Sequence, residues 1–230
     1  MLQKNGLTFI IGSMSNDVFI PCLDILPKQQ KALWPELSDV PDSFVLYGGT
    51  AIALQLGHRE SIDFDFLGSE SFDPDTLLAS LPFLQNCRVI QRQQNTLTAI
   101  VNRGSDVLLS FFGLPTIRPV KKPLRTCDNK IKVASLIDLA GMKVSVIQKR
   151  AEWKDYTDIA ALLDHGISLD LALAAGKAIY GDQFNPQITL KALAYFDDVK
   201  GITEQVKKRI QNAVRNVDLR QLPEIEVFKP

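Results

Sequence analysis

The sequence predicts an α+β fold in which a small mixed β-sheet lobe with helices precedes an all-helical C-terminal lobe. Three observations carry that reading. Short runs that alternate apolar and polar residues, or are wholly apolar, fill the first half between turn signals. A stretch rich in proline and basic residues, 113–130, interrupts them as a connecting loop. From Ser135 onward the apolar spacing is helical. With 230 residues, the chain exceeds one typical domain and falls short of two large ones, so the lobes, 1–115 and 131–230, are expected to share a core.

The elements follow in order. Leu7 to Ile11, after Lys4, is brief for the apolar part of a signal peptide and no cleavage pattern follows, so it reads as structure. Leu23 to Leu37 reads as a helix interrupted near Pro35, Pro41-Asp42 as a turn, and Phe44 to Tyr47 as a buried strand. Gly48-Gly49 breaks that strand. Thr50 is placed as the N-cap of a short apolar helix, Ala51 to Leu56, which Gly57 ends. Ile62 to Phe66 alternates strictly, with Ile62, Phe64 and Phe66 on one face and Asp63 and Asp65 on the other. A helix near Asp75 to Leu81 precedes three strands, near Arg88 to Gln91, Thr96 to Val101 and Val107 to Phe112, the last two forming a hairpin across Asn102 to Ser105. Helices are predicted at Leu136 to Gln148, Trp153 to Leu163, Leu169 to Tyr180, Ile188 to Phe196 and Thr203 to Val217.

Composition narrows the function. Lys plus Arg equals Asp plus Glu, 26 each, so no global field draws the chain to nucleic acid or an anionic membrane, and charged recognition must be local. Cys22, Cys87 and Cys127 are scattered and odd in number, which points to a reducing cytoplasm rather than a disulfide framework or a Cys-based metal site. The longest apolar stretch, Phe44 to Leu56, is shorter than the roughly 20 residues that span a bilayer, so no membrane association is expected.

Chemistry concentrates between Gly48 and Phe66. On a strand Asp63 and Asp65 point the same way with backbones about 7 Å apart. Alone, such a pair is an acidic face and each carboxylate raises the pKa of the other. A shared Mg²⁺, a hard cation that prefers oxygen, makes the pair favourable. Gly48 and Gly49, without side chains and ahead of a helix, let backbone N–H groups approach a phosphate at the positive end of that helix.

The string GGTAIALQLGHRESIDFDF resembles the nucleotidyltransferase superfamily, specifically its AbiEii/AbiGii toxin-like branch, with a Gly-Gly-Thr turn, a short helix, a His/Arg-Ser turn and an Asp-x-Asp strand. A second block, DLAGMKVSVIQKRAEWKDYTDIAALL from Asp138 to Leu163, resembles the Lys…Arg…Lys-Asp-x-x-Asp signature of the same branch. The resemblance implies a nucleotidyltransferase-like sheet, a nucleoside triphosphate held at Gly48, Gly49, Thr50, Ser61 and Arg150, and Mg²⁺ or Mn²⁺ held by Asp63 and Asp65. It implies catalytic roles for Asp63, Asp65, Lys143, Lys154, Asp155 and Asp158, an RNA acceptor such as tRNA, and a cognate antitoxin. If one helix ran through the second block, Lys143, Arg150 and Lys154 would share a stripe with Asp158 near it; the plain alternative is a solvated helix with an i,i+4 Lys154–Asp158 pair. Val144, Val146 and Ile147 read as core, as do Leu136, Leu139 and Ala140. His58 and Arg59 read equally as substrate contacts or a polar turn.

One departure stands out. Many nucleotidyltransferases add a third carboxylate from a later strand, where this chain reads DVLLSFFG, with Ser110 at the position of the acid and Asp106 about 13 Å away along the strand. Asp155 or Asp158 would then have to supply the missing oxygen. The alternatives are a module that binds nucleotide or antitoxin without transfer, or an enzyme that modifies a small molecule of the aminoglycoside kind. The Arg118 to Lys132 loop reads as a guide for RNA or as a solvated loop.

Overall fold

The computed structural model describes residues 17–229, so the Leu7 to Ile11 run lies outside the described residues. Its strands are β1 (Val18–Phe19), β2 (Phe44–Tyr47), β3 (Phe64–Gly68), β4 (Arg88–Gln93), β5 (Thr96–Asn102), β6 (Asp106–Gly113), β7 (Leu124–Thr126) and β8 (Lys132–Val133). They form one mixed sheet in the order β1-β7-β8-β2-β3-β6-β5-β4. The helices are α1 (Lys28–Leu33), α2 (Gly48–Leu56), α3 (Pro74–Ser80), α4 (Leu136–Val146), α5 (Trp153–Asp164), α6 (Leu169–Tyr180), α7 (Pro186–Ala194) and α8 (Glu204–Arg215).

Alternation divides the sheet into two faces. Phe44 and Leu46 of β2, Phe64 and Phe66 of β3, Leu97, Ala99 and Val101 of β5 and Val107, Leu109 and Phe111 of β6 are buried in the core. Phe66 and Phe111 stack with centroids 5.1 Å apart, and Phe44 meets Phe111 edge-on at 5.3 Å. Such pairs add about 0.5–1.5 kcal/mol beyond area burial. The other face carries Val45 and Tyr47 opposite Leu67 and Asp65, with Ser110 and Phe112 on the far side of β3. Slipping β3 by one residue would turn Phe64 and Phe66 outward, so core packing fixes the direction of Asp65.

Gly57, at φ +65, ends α2 as predicted and donates its N–H to the Ala53 carbonyl. In the helical half, Gly141 of α4 faces α6 so closely that a Cβ there would lie 2.9 Å from Ala175. The main core unites both halves, running from Leu33 and Phe64 to Tyr156 and Ile210.

Several expectations change. Segment 113–130 is not simply a loop: it contributes β7, which pairs with β8, and β8 lies parallel to β2 through Leu46 and Val133. Strands of three and two residues are too short to show a period. Thr50 is not the N-cap; α2 begins at Gly48, and Tyr47 occupies the cap position. Ile62 is 44% exposed, and β3 begins only at Phe64. No single helix among the described residues is long and apolar enough to cross a membrane.

Candidate active site

The turn between β2 and α2 sets the geometry. Gly48 has φ +73, and a Cβ on it would lie 2.7 Å from Asp65 Oδ2. A Cβ on Gly49 would collide with the Arg59 guanidinium and sit 3.3 Å from Asp158 Oδ2. Both glycines therefore let charged side chains close against backbone, and the unpaired N–H groups of the first turn of α2 stand beside them.

Asp65 pairs in register with Tyr47 on one side and Ser110 on the other. Burial pushes its carboxyl up from the usual range and the Asp63 charge adds to this, while Lys143, Arg150 and the Ser110 hydroxyl oppose it. Burial also raises Asp63, against the opposing charges of Lys154 and Arg59. Two carboxyls held at an electrostatic cost mark a position that a cation would relieve. Among the described residues no three His, Cys, Asp or Glu side chains converge as a complete metal cage. Two carboxylates completed by substrate oxygens fit Mg²⁺, which commonly binds through one or two carboxylates and phosphates.

Asp155 and Asp158 lie deeper, fully buried on α5. Lys143 Nζ donates to Asp155 Oδ1 at 2.6 Å and lies 2.7 Å from Asp158 Oδ2. Arg150 donates to both Asp155 oxygens, at 2.8 and 3.2 Å. Arg59 grips Asp158 with two donors, at 2.7 and 2.9 Å, and His58 Nε2 lies 2.7 Å from Oδ1. Burial works against the Asp158 charge, yet hydrogen bonds from His58 and Arg59 and the charge of Lys143 hold its carboxyl well below the usual range. These carboxylates hold Lys143, Arg150 and Arg59 in place.

The other sequence candidates separate clearly. Lys143 and Arg150 meet at Asp155, but not along one helix, because residues 147–152 separate α4 from α5. The i,i+4 Lys154–Asp158 pair does not form, and Lys154 instead acts on Asp63. The hydroxyls of Thr50 and Ser61 are 2.7 Å apart and buried, and Thr50 also donates to the Asp63 carbonyl. They latch α2 to the segment that leads into β3. Asp106 is bound by Arg88 at 3.0 Å, away from Asp65.

A cleft of about 380 Å³ opens over Gly48, Gly49 and Asp65, with Lys143, Lys149 and Arg150 across from them. Val146, expected in the core, lines it. Sequence reasoning missed Lys149 and Tyr47 and left His58 and Arg59 ambiguous. Tyr47 could have been found from the strand period, which puts it on the face of Asp65; nothing in the spacing marks Lys149.

A mixed sheet that sets a Gly-Gly turn and Asp65 in a basic cleft, two residues from Asp63, has the fold of the nucleotidyltransferases. The chain belongs to the AbiEii family, described as nucleotidyl transferase toxins of type IV toxin–antitoxin systems, whose model matches residues 32–226. It is 30% identical over 178 residues to an uncharacterized protein of Aquifex aeolicus (strain VF5), covering 75% of this chain and 84% of that one. Its fold is similar to that of MenT4, a nucleotidyltransferase toxin of Mycobacterium tuberculosis H37Rv, with TM-score 0.55, 15% identity and 83% of each chain covered. A candidate nucleotidyltransferase of H. pylori is also similar, with TM-score 0.51, 17% identity and coverage of 86% of this chain and 96% of that one.

Proposed function

We propose that the protein moves a nucleotidyl group from a nucleoside triphosphate to a hydroxyl of an RNA acceptor such as tRNA, as a toxin countered by a cognate antitoxin in the cytoplasm. The observation that carries this reading is the close approach of Gly48 to Asp65 inside a cleft that also holds Lys143, Lys149 and Arg150. The Gly48-Gly49 turn and the first turn of α2 take the triphosphate through backbone N–H groups, with Lys143 and Arg150 on its oxygens. Asp63 and Asp65 would hold Mg²⁺ or Mn²⁺, which would neutralise phosphate charge. The acceptor oxygen bonds to the α-phosphorus, the bond to the bridging oxygen breaks, pyrophosphate leaves, and the acceptor's proton passes to a carboxylate of the pair. Lys154, beside Asp63, limits the repulsion between the carboxylates. Asp155 and Asp158 hold Lys143, Arg150 and Arg59 in position.

The test is incubation with each labelled nucleoside triphosphate, Mg²⁺ and total cellular RNA, with an Asp63→Ala/Asp65→Ala variant alongside. Label on RNA from the unaltered protein alone supports transfer; equal labelling by the variant rules this site out. Ser110 beside Asp65 favours a second reading, a module that binds nucleotide and antitoxin without transfer. That reading predicts triphosphate binding with no labelled acceptor under any condition.

A further inference from the structure

The cleft does not end at Asp65. Tyr47 and Leu67 line it, and both also line a larger groove of about 950 Å³ that continues along the same sheet face. That size lies within the usual range for a small-molecule site. Its apolar surface includes Val45, Tyr47, Leu67, Ile117, Pro119 and Phe228. Its rim holds four cationic and three anionic side chains. Most of that charge is already paired: Lys122 with Asp17 at 2.6 Å, Arg125 with Asp42 at 2.6 Å, and Lys132 on the Asp42 carbonyl at 2.6 Å. Phe228 is fixed at one wall by its N–H, which donates to the Pro119 carbonyl at 2.7 Å.

Resting on the transferase reading above, we propose that this groove seats the unpaired terminal nucleoside of the acceptor strand, base against the apolar surface and hydroxyl toward Asp65. Continuity with the cleft gives the hydroxyl a path to the triphosphate. A nearly balanced rim offers little to a run of backbone phosphates or to a polycationic small acceptor, whereas an aromatic and aliphatic surface suits the uncharged flat face of a base. The recognised part is therefore a base, and the backbone outside the groove contributes little.

Filling the groove tests this. Val45→Trp adds bulk to the groove lining, and Ser43→Trp does so from an exposed position outside the core. Affinity for a fluorescein-labelled short single-stranded RNA with a free 3′ hydroxyl is expected to fall about tenfold or more in each variant. Binding of the labelled triphosphate with Mg²⁺ should stay within about twofold, because the Gly48-Gly49 turn is untouched. RNA binding to the unaltered protein should depend weakly on salt, with a log–log slope between zero and about −1. Unchanged RNA affinity in Ser43→Trp overturns the proposal, as does a steep salt slope, which would mean a phosphate track. Loss of triphosphate binding with RNA binding intact also overturns it, since the groove would then hold the nucleotide's own base. If RNA binds through the groove and is never labelled, transfer fails while the groove stands; if labelling persists in the filled variants, the groove alone fails.

Discussion

Gly48 joins backbone conformation and chemistry at one position. Its φ of +73 lies where any side chain costs about 1–2 kcal/mol, and a Cβ would press on Asp65 Oδ2. Gly48→Ala should therefore lower the urea midpoint modestly and cut label transfer about a hundredfold, since a small displacement of a catalytic group costs about that much. Normal transfer by the variant would show that Asp65 tolerates displacement. Arg150 gives the opposite balance. Its side chain is 52% exposed, and Lys143 still neutralises Asp155 without it. Arg150→Ala should leave the thermal midpoint nearly unchanged and weaken triphosphate binding about tenfold, the loss of one charge-assisted hydrogen bond. An unchanged Kd would remove Arg150 from the phosphate site. At this scale the paired aspartates and glycines were legible because strand period and missing side chains act within a few residues. The latch between Thr50 and Ser61 and the cation clamp on Asp158 were not, since a hydroxyl or carboxylate has the same code whether it faces a ligand or a neighbour.

Among elements, the helices from Leu136 onward and the hairpin of β5 and β6 match the sequence pattern because each buries one regular stripe or face. The break between α4 and α5 falls within two residues of where the sequence places it, between Gln148 and Trp153, although no strong breaker marks it. Residues 147–152 contain neither glycine nor proline, and their apolar and basic spacing suits a continued helix. In the break Arg150 turns to Asp155, which also takes Lys143 from α4. β7 and β8 were hidden for a different reason, since two or three residues exist as strands only because β1 and β2 pair with them. The crossing of α4 on α6 rests on a visible residue whose meaning was not. Gly141 sits mid-helix, where glycine costs about 1 kcal/mol of propensity, and it repays this by close approach to Ala175 and Gly176. Gly141→Val should destabilise the protein by about 1–3 kcal/mol through overpacking, read as a lower urea midpoint with an unchanged slope. A neutral or stabilising outcome would mean that α6 can move away freely.

For the molecule as a whole, the question is what keeps the sheet and the helices aligned across the cleft. The shared apolar core holds them together without fixing register to the precision that transfer demands. The Asp158 cluster adds direction, because Arg59 belongs to the turn before β3 and Asp158 to α5, and both are nearly or fully buried. The Asp158 carboxyl is held below its usual range, so in acid the unfolded chain takes up its proton, at a pKa of about 3.9, before the folded chain does. Its contribution is therefore complete above that pH and lost progressively as pH falls below it. Asp158→Asn should flatten the acid limb of the stability profile. A double-mutant cycle with Arg59→Met gives the coupling directly: at neutral pH each single variant breaks the buried Arg59–Asp158 pair, with Asp158 keeping Lys143 and His58 when Arg59 is replaced, and the interaction energy should be about 2–3 kcal/mol. The same cycle read by triphosphate affinity should also be non-additive, since Arg59 packs on Gly49 and Asp158 restrains Lys143. Additive effects in both readouts would show that the two halves hold their places independently, and the cluster would then be a buried ion pair with no part in building the site.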